Sequence, residues 1–357
     1  MAKALIAMSG GVDSSVAAYL TGQMGYECMG CTMRLYENDM IGEDLLGSCC
    51  SAKDTGDARS VCERLGIDYH IFHYETEFEE KVIANFADCY ECGMTPNPCI
   101  ECNRHLKFHT LLERADALGC EKLVTGHYAR VSYDEGLGRY TLRKAVDLSK
   151  DQSYVLYMAD QKTLARILFP LGDQTKAQTR EIAEQMGFVN ANKHDSQDIC
   201  FVPDGEYAAF LERYRNKKYP PGNFVDKHGE ILGRHKGIVC YTIGQRRGLG
   251  IAWEHPLYVT GIRPETNEVV LGKNEDLFTT RLEAEHINLI TMDEIEGELR
   301  CSARIRYHHK EQPATVRQTG KDRIEVIFDE PQRAITPGQA VVLYDGEMVI
   351  GGGTIIS

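Results

Sequence analysis

Ser9-Gly10-Gly11-Val12-Asp13-Ser14-Ser15, set between the apolar run Ala4-Leu5-Ile6-Ala7 and the helical stretch from Val16 to Met24, constrains this chain more than any other segment. Two glycines between a short strand and a helix let the backbone turn tightly and come close to a ligand. The helix that follows points unpaired N–H groups and a positive dipole end at an anion. The segment therefore reads as a phosphate cradle, the plainer alternative being a glycine-rich turn with no ligand. The GxxxxGK[ST] pattern of ordinary P-loop nucleotidases is absent.

At 357 residues the chain is long for one core and comfortable for two or three domains. Hydrophobic residues at 43% and charged residues at 26% are globular values. No segment approaches the roughly 20 apolar residues of a membrane helix, so a soluble, cytoplasmic protein without a membrane partner is expected. Thirteen cysteines then argue for reduced thiols, some of them used chemically.

A net charge of −13 does not exclude a polyanionic partner, because local fields steer binding more than the total does. Basic residues gather at Arg213, Arg215, Lys217 and Lys218, at Arg234, His235 and Lys236, at Arg246 and Arg247, and at Arg300, Arg304, Arg306 and Lys310. Any one cluster reads as a solvated face. Four of them, interleaved with Tyr214, Tyr219, Tyr241 and Tyr307, point toward nucleic acid.

From Lys3 to about Thr125, β-rich runs alternate with amphipathic helical stretches, which predicts an α/β domain with a parallel sheet. Its strands are expected at 28–33, 69–74 and 123–125, and its helices to end at 65, 90 and 118. Ligands of such a sheet bind beyond the carboxyl ends of the strands, where Ser9 and Gly126 fall. Helical pattern continues over 164–168, 175–186 and 207–214. After Pro220-Pro221, short alternating segments at 238–243, 257–262, 268–271, 314–318 and 323–328 read as small antiparallel barrels. The expected division is 1–205, with a helical extension from about 160, then a β-rich domain over 206–285 and a β-barrel over 286–357.

The cysteines carry the chemistry. Cys99 and Cys102 follow Thr95-Pro96-Asn97-Pro98, read as a stiff extended loop, with the next helix starting at Arg104. Cys200 ends the polar stretch Asp195-Ser196-Gln197-Asp198-Ile199. Thiols on accessible polar loops suit nucleophiles and sulfur carriers, whereas Cys28, Cys31, Cys120, Cys240 and Cys301 lie on apolar or strand-like runs and read as packing. Cys89 and Cys92 with Cys99 and Cys102 form a paired CxxC spacing also compatible with structural zinc. Cys49-Cys50 reads as a loop beside the site.

SGGVDS is similar to the pyrophosphate-binding loop of the ATP pyrophosphatases, which split ATP into an adenylylated substrate and pyrophosphate. Together with the TPNPxxxCN loop at 95–103, Gly126-His127-Tyr128, Lys150-Asp151-Gln152-Ser153-Tyr154, Ile199-Cys200-Phe201, the TIGQRRGLG run at 242–250 and the TPGQA run at 336–340, it resembles the bacterial tRNA-specific 2-thiouridylase family over essentially the whole chain.

That resemblance implies an ATP pyrophosphatase domain, a middle domain and a carboxy-terminal β-barrel that together grip tRNA. The implied reaction adenylylates O2 of the wobble uridine in tRNAs for Lys, Glu and Gln, and then replaces that oxygen with sulfur. By residue, it implies ATP contacts from Ala7, Met8, Ser9, Gly10, Gly11, Val12, Asp13, Ser14, Met33 and Gly126, with Asp13 placing Mg2+. Cys200 would carry a persulfide and Cys102 would attack or resolve it. Asn97, Pro98 and Cys99 would meet the extruded base, and His127, Lys150, Asp151, Gln152, Arg306, Tyr307 and Gln339 the tRNA. The implied sulfur source is a donor or relay protein fed by a cysteine desulfurase.

Where many members of that family carry aspartate in this loop, the chain has Cys99. Cys99, Cys102 and Cys200 could instead hold three irons of a [4Fe-4S] cluster whose fourth iron binds hydrosulfide. Persulfide and cluster routes both stand at this point. So do two other classes: an ATP pyrophosphatase of the synthetase type, and a zinc-bearing RNA-binding module.

Overall fold

A computed structural model describes residues 1–36, 52–194, 199–202 and 205–357. Cys49-Cys50 and residues 195–198 lie outside the described residues. β1 (Lys3–Ala7), β2 (Glu27–Arg34), β3 (Asp68–His73) and β4 (Lys122–Val124) are joined by helices at Val12–Gln23, Ala52–Leu65 and two longer helical stretches before β4. Such crossovers force parallel pairing, and with β7 (Ile167–Leu168) the sheet runs β3-β2-β1-β4-β7 with every pair parallel. Leu5 faces one apolar cluster while Ala4 and Ile6 face another, as a strand covered on both faces requires. The chain reverses direction across the sheet between β1 and β4, so the topological switch point lies between Ser9 and Gly126.

Three local readings are corrected. β7 (Ile167–Leu168) is the fifth parallel strand, and the helix before it stops at Arg166, because the β-branched end of the 164–168 run pairs with Leu123 and Val124. Residues 238–243 contain only a 3₁₀ turn, Ile238–Cys240, entered through Gly237 at φ 131°. The helix bearing Cys99 and Cys102 begins at Pro98 rather than at 104. The proline takes the first helical position and the Asn97 side chain accepts from the Cys99 N–H at 3.2 Å.

β5 (Ala129–Asp134) and β6 (Arg139–Lys144) form a hairpin missing from the sequence reading, and β6 pairs with β17 far downstream. β8 (Gly222–Val225), β9 (Ile231–His235), β10 (Tyr258–Arg263) and β11 (Glu268–Gly272) make the middle sheet, in which β8 and β11 are parallel rather than antiparallel. β12 (Phe278–Leu289), β13 (Leu299–Arg304), β14 (Gln312–Gly320), β15 (Arg323–Arg333), β16 (Ala340–Asp345) and β17 (Met348–Ile355) close into a six-stranded barrel through β12–β17. Alternate residues such as Leu282, Ala284, Val316, Ile324, Val326, Val341 and Leu343 fill it.

The hairpin ties the first sheet's domain to the barrel. Arg130–Glu347 (2.8 Å), Lys144–Glu311 (2.7 Å) and Arg139–Asp293 (2.9 Å) reinforce the joint. Among the described residues no helix is long and apolar enough to cross a membrane.

Candidate active site

The cradle is built as its residues dictate. Gly10 takes φ 73°, and a Cβ there would fall 2.4 Å from the Asp54 carbonyl oxygen. Gly11 is the N-cap of the helix Val12–Gln23 and offers no side chain to its first turn. The Ser9 N–H donates to Ser14 Oγ (3.2 Å), and the Ser14 and Ser15 hydroxyls donate to the Gly11 carbonyl (3.0 Å each). The hydroxyls thus hold the curve while the helix amides face its mouth. Met8, Val12 and Ser14 are buried in the cradle wall.

At Gly126 the backbone packs directly against the cradle. A Cβ there would sit 2.8 Å from both the Asp13 carbonyl carbon and the Ser14 nitrogen. Gly126→Ala is expected to displace the cradle, costing about 1–3 kcal/mol of stability. It should lower ATP affinity while tRNA binding stays near wild type, measured by thermal melting and equilibrium titration.

The segment after β7 completes the cradle, and the sequence reading missed it. Lys176 opens the helix Lys176–Gln185, which is fixed by a Thr175–Gln178 capping box and by Asp147, whose carboxylate accepts the Lys176 N–H at 3.0 Å. That hydrogen bond, first among several, holds the Asp147 carboxyl below its ordinary pKa. Lys176 Nζ reaches both Asp13 oxygens, at 2.7 and 2.9 Å, and the Tyr128 hydroxyl lies 3.0 Å from Asp13 Oδ1. Asn190 donates to the Gly10 carbonyl and to Ser15 Oγ (3.0 and 2.9 Å). Lys193 donates to the Gly10 carbonyl (3.0 Å), to Asp57 (2.9 Å) and to Asp54. Burial opposes the Lys193 charge, but the bonds to Asp54 and Asp57 outweigh it and raise its pKa. The pairs that Lys176, Asn190 and Lys193 make with the cradle, Asp54 and Asp57 span 136 to 183 residues and leave no short-range trace.

The thiols sit on two arms. Cys99 is exposed and Cys102 buried one turn later, where the backbone becomes π-helical over Cys102–Thr110. Thr95 clamps the approach to this helix to both other domains. Its N–H donates to the Pro337 carbonyl (2.9 Å), its carbonyl accepts from Gln339 Nε2 (2.8 Å), and its hydroxyl meets that of Thr242 (3.1 Å). Cys200 is half-buried, and its carbonyl accepts from the Tyr36 hydroxyl (3.2 Å) just beyond the carboxyl end of β2. Next to it, Phe201 anchors the loop in a cluster with Phe78, Phe86 and Phe210.

Among the described residues, Cys28, Cys31, Cys62, Cys89, Cys92, Cys120, Cys240 and Cys301 are free thiols. Burial raises the thiol pKa of Cys28, Cys31, Cys120, Cys240 and Cys301, the last to about 12, in keeping with packing roles. Cys89 is pushed to about 11 by burial and then by Cys92. Among the described residues no three or more His, Cys, Asp or Glu side chains are gathered to hold a metal ion.

Several residues expected at the tRNA are used by the fold. His127 is buried between Phe108 and Phe169 with Nδ1 2.6 Å from the Thr125 hydroxyl, and burial, then Lys107, drives its pKa well down. Asp151 is buried and accepts from Ala145 N–H, Ser153 and Arg304. Gln152 Oε1 accepts the Tyr128 N–H, and Arg306 donates to the Arg333 and Ala334 carbonyls. Tyr307 packs on Tyr154, and burial first, with Asp151 and Cys99 adding, raises its phenol to about 12. Of the basic clusters, Arg215 pairs with Asp88 and Glu91, Lys217 with Glu91, Lys218 with Glu212 and Arg300 with Asp329. Arg246 and Arg247 are exposed and have no ion-pair partner among the described residues.

A parallel sheet with a glycine cradle at its switch point, followed by a small mixed sheet and a closed barrel, defines a HUP-type nucleotide domain carrying two β modules. Family models agree: a tRNA methyl transferase HUP domain matches residues 2–204, a tRNA methyl transferase PRC-barrel domain 208–273 and an aminomethyltransferase β-barrel domain 279–355. The tRNA-specific 2-thiouridylase MnmA of Carboxydothermus hydrogenoformans is 52% identical over 99% of this chain and 97% of its own. That of Clostridioides difficile is 50% identical over 99% and 98%, and that of Lachnoclostridium phytofermentans 48% over the full length of both. A solved 4-thiouridine synthetase–RNA complex with bound ATP is 18% identical over 60% of this chain and 50% of that one, at a TM-score of 0.39. The chain belongs to the tRNA-specific 2-thiouridylase family.

Proposed function

We propose that this protein uses ATP to replace O2 of the wobble uridine in tRNAs for Lys, Glu and Gln with sulfur, in the cytoplasm. The observation that carries this reading is that Cys200 meets Tyr36 beyond the carboxyl end of β2, the same end of the sheet as the cradle after β1. A phosphate site and a thiol at one sheet end suit activation followed by sulfur attack. Methyl transfer, the reaction in the family models' descriptions, has no use for ATP cleavage or for paired thiols.

O2 of the uridine attacks the α-phosphorus of ATP, pyrophosphate leaves, and the C2–O bond becomes the bond to an AMP leaving group. The cradle amides stabilise the charge growing on the departing pyrophosphate. Mg2+ held mostly by phosphates needs one or two protein carboxylates, and Asp13 can supply one. The terminal sulfur of a Cys200 persulfide then attacks C2 and AMP departs. The Cys102 thiolate attacks Cys200 Sγ, so the S–S bond to the nucleoside breaks, a Cys102–Cys200 disulfide forms and 2-thiouridine is released. An external dithiol reduces that disulfide, and a sulfane donor protein restores the persulfide.

The persulfide route is preferred to the cluster route because it needs two thiols that meet in turn, not three gathered at once. A synthetase would adenylylate a small molecule and would have no role for Cys102 or Cys200. Incubation with ATP and unmodified tRNA, followed by nucleoside mass analysis, separates these readings.

Salt dependence tests the grip. Arg306 is engaged by backbone carbonyls, so Arg246 and Arg247 are the better phosphate contacts. The double change Arg246→Ala/Arg247→Ala is expected to weaken tRNA binding and lower the log–log salt slope by about 1–2 units, with ATP affinity unchanged. An unaltered slope would return both arginines to the solvated surface.

A further inference from the structure

The cradle lacks cations of its own. Asp13 is the only charged residue between Ser9 and Ser15, and a helix N-terminus supplies only about half a positive charge. A triphosphate brings several negative charges to this point, and the three carboxylates nearest the loop, Asp13, Asp54 and Asp57, add to them. Something must balance that charge, and the fold sends two lysines. Lys176 stands at a helix start pinned by its capping box and Asp147, with its ammonium on Asp13. Lys193 reaches the Gly10 carbonyl, part of the cradle backbone itself. Arg180 donates to the Ala191 and Lys193 carbonyls, and Asn190 to Gly10 and Ser15, so the segment carrying Lys193 is fastened to the loop it serves.

We propose that Lys176 and Lys193 bind the pyrophosphate part of ATP, standing in for the lysine that a Walker loop would carry within its own sequence. When the nucleotide enters, Lys176 exchanges Asp13 for a phosphate oxygen, which frees the Asp13 carboxylate for the metal that accompanies the phosphates. Lys193 makes the same exchange from Asp54 and Asp57 while remaining tethered at Gly10. A lysine ammonium suits this, being a compact charge on a flexible four-carbon stem that can trade one anion for another without moving the backbone. The inference deepens the ATP reading of the cradle and rests on it.

The test is calorimetric titration of full-length protein with magnesium pyrophosphate, magnesium ATP and AMP separately. Lys176→Met and Lys193→Met keep the stem and remove the charge. Each is expected to weaken pyrophosphate and ATP about ten- to a hundredfold, as loss of a charge-assisted hydrogen bond does, with AMP and tRNA affinities unchanged. Equal loss of AMP and pyrophosphate would make the lysines mere struts and overturn the proposal, as would no loss at all. Asp13→Asn/Lys176→Met is the second control: recovery of wild-type ATP affinity would mean that Lys176 serves only to neutralise Asp13. Should a methionine variant fail to fold, judged by circular dichroism and melting, Lys176→Gln or Lys193→Gln, which also removes the charge but stays polar, replaces it. A pyrophosphate affinity that shifts with AMP constant supports the assignment, and a change in both or neither refutes it. Wild-type protein that binds neither pyrophosphate nor ATP would remove the cradle reading and this inference together. Tight binding by wild type and variants alike would remove only the inference.

Discussion

Cys102→Ser and Cys200→Ser protein are each expected to form no 2-thiouridine, and to fail at different points. Without Cys200 there is no persulfide, so tRNA should be adenylylated and pyrophosphate released, with no sulfur transferred. Without Cys102 the attack on C2 can occur but the product stays attached to Cys200 through a disulfide. A protein–tRNA adduct that a thiol reductant cleaves should then accumulate, visible on a denaturing gel. Cys99→Ser should retain much of the activity, because the exposed Cys99 is not one of the two exchanging sulfurs. Cys89→Ser and Cys92→Ser should be nearly silent. If Cys99→Ser instead fails as completely as the other two, and iron content falls with it, the persulfide route is wrong and a three-cysteine cluster must assemble in a conformation different from this one.

Asp13→Asn and Asp13→Ala should lower AMP and pyrophosphate formation by about 10²–10³ or more, the scale of removing one charge-handling group from such a transition state. tRNA binding should persist, since Asp13 faces Lys176 and Tyr128 rather than a barrel surface. Asparagine is the cleaner variant. It keeps the shape and hydrogen bonding of the side chain, whereas alanine leaves the largely buried Lys176 ammonium without its carboxylate and adds a stability loss to the catalytic one. Near-normal pyrophosphate release by Asp13→Asn, with melting unchanged, would detach Asp13 from the chemistry.

The cradle was legible because its determinants are local: two glycines, a strand before and a helix after. The parallel sheet was legible for the same reason, each helix and strand carrying its own period. The start of the Cys102 helix was misread because Pro98 suits the first helical position as well as an extended loop, and only the Asn97 cap decides between them. The β5–β6 hairpin pairs locally, but its pairing with β17, some two hundred residues downstream, has no local trace. Lys176, Lys193 and Asn190 were invisible for the same reason. Asp151, expected at the tRNA, and Arg304, counted in a basic cluster, meet each other at 3.4 Å across the joint between the first domain and the barrel. Motifs carried over from a resemblance name segments without saying which of their side chains are framework.

The reaction itself is the most direct test. Purified protein is incubated with magnesium ATP, unmodified tRNA and a persulfide donor, and the tRNA is digested for nucleoside mass analysis while AMP, phosphate and pyrophosphate are counted. The expected product is 2-thiouridine at the wobble position, formed only with ATP and accompanied by AMP and pyrophosphate in equal amounts. Methylated uridine, thiolation without ATP, or release of ADP and phosphate in place of AMP and pyrophosphate would contradict it.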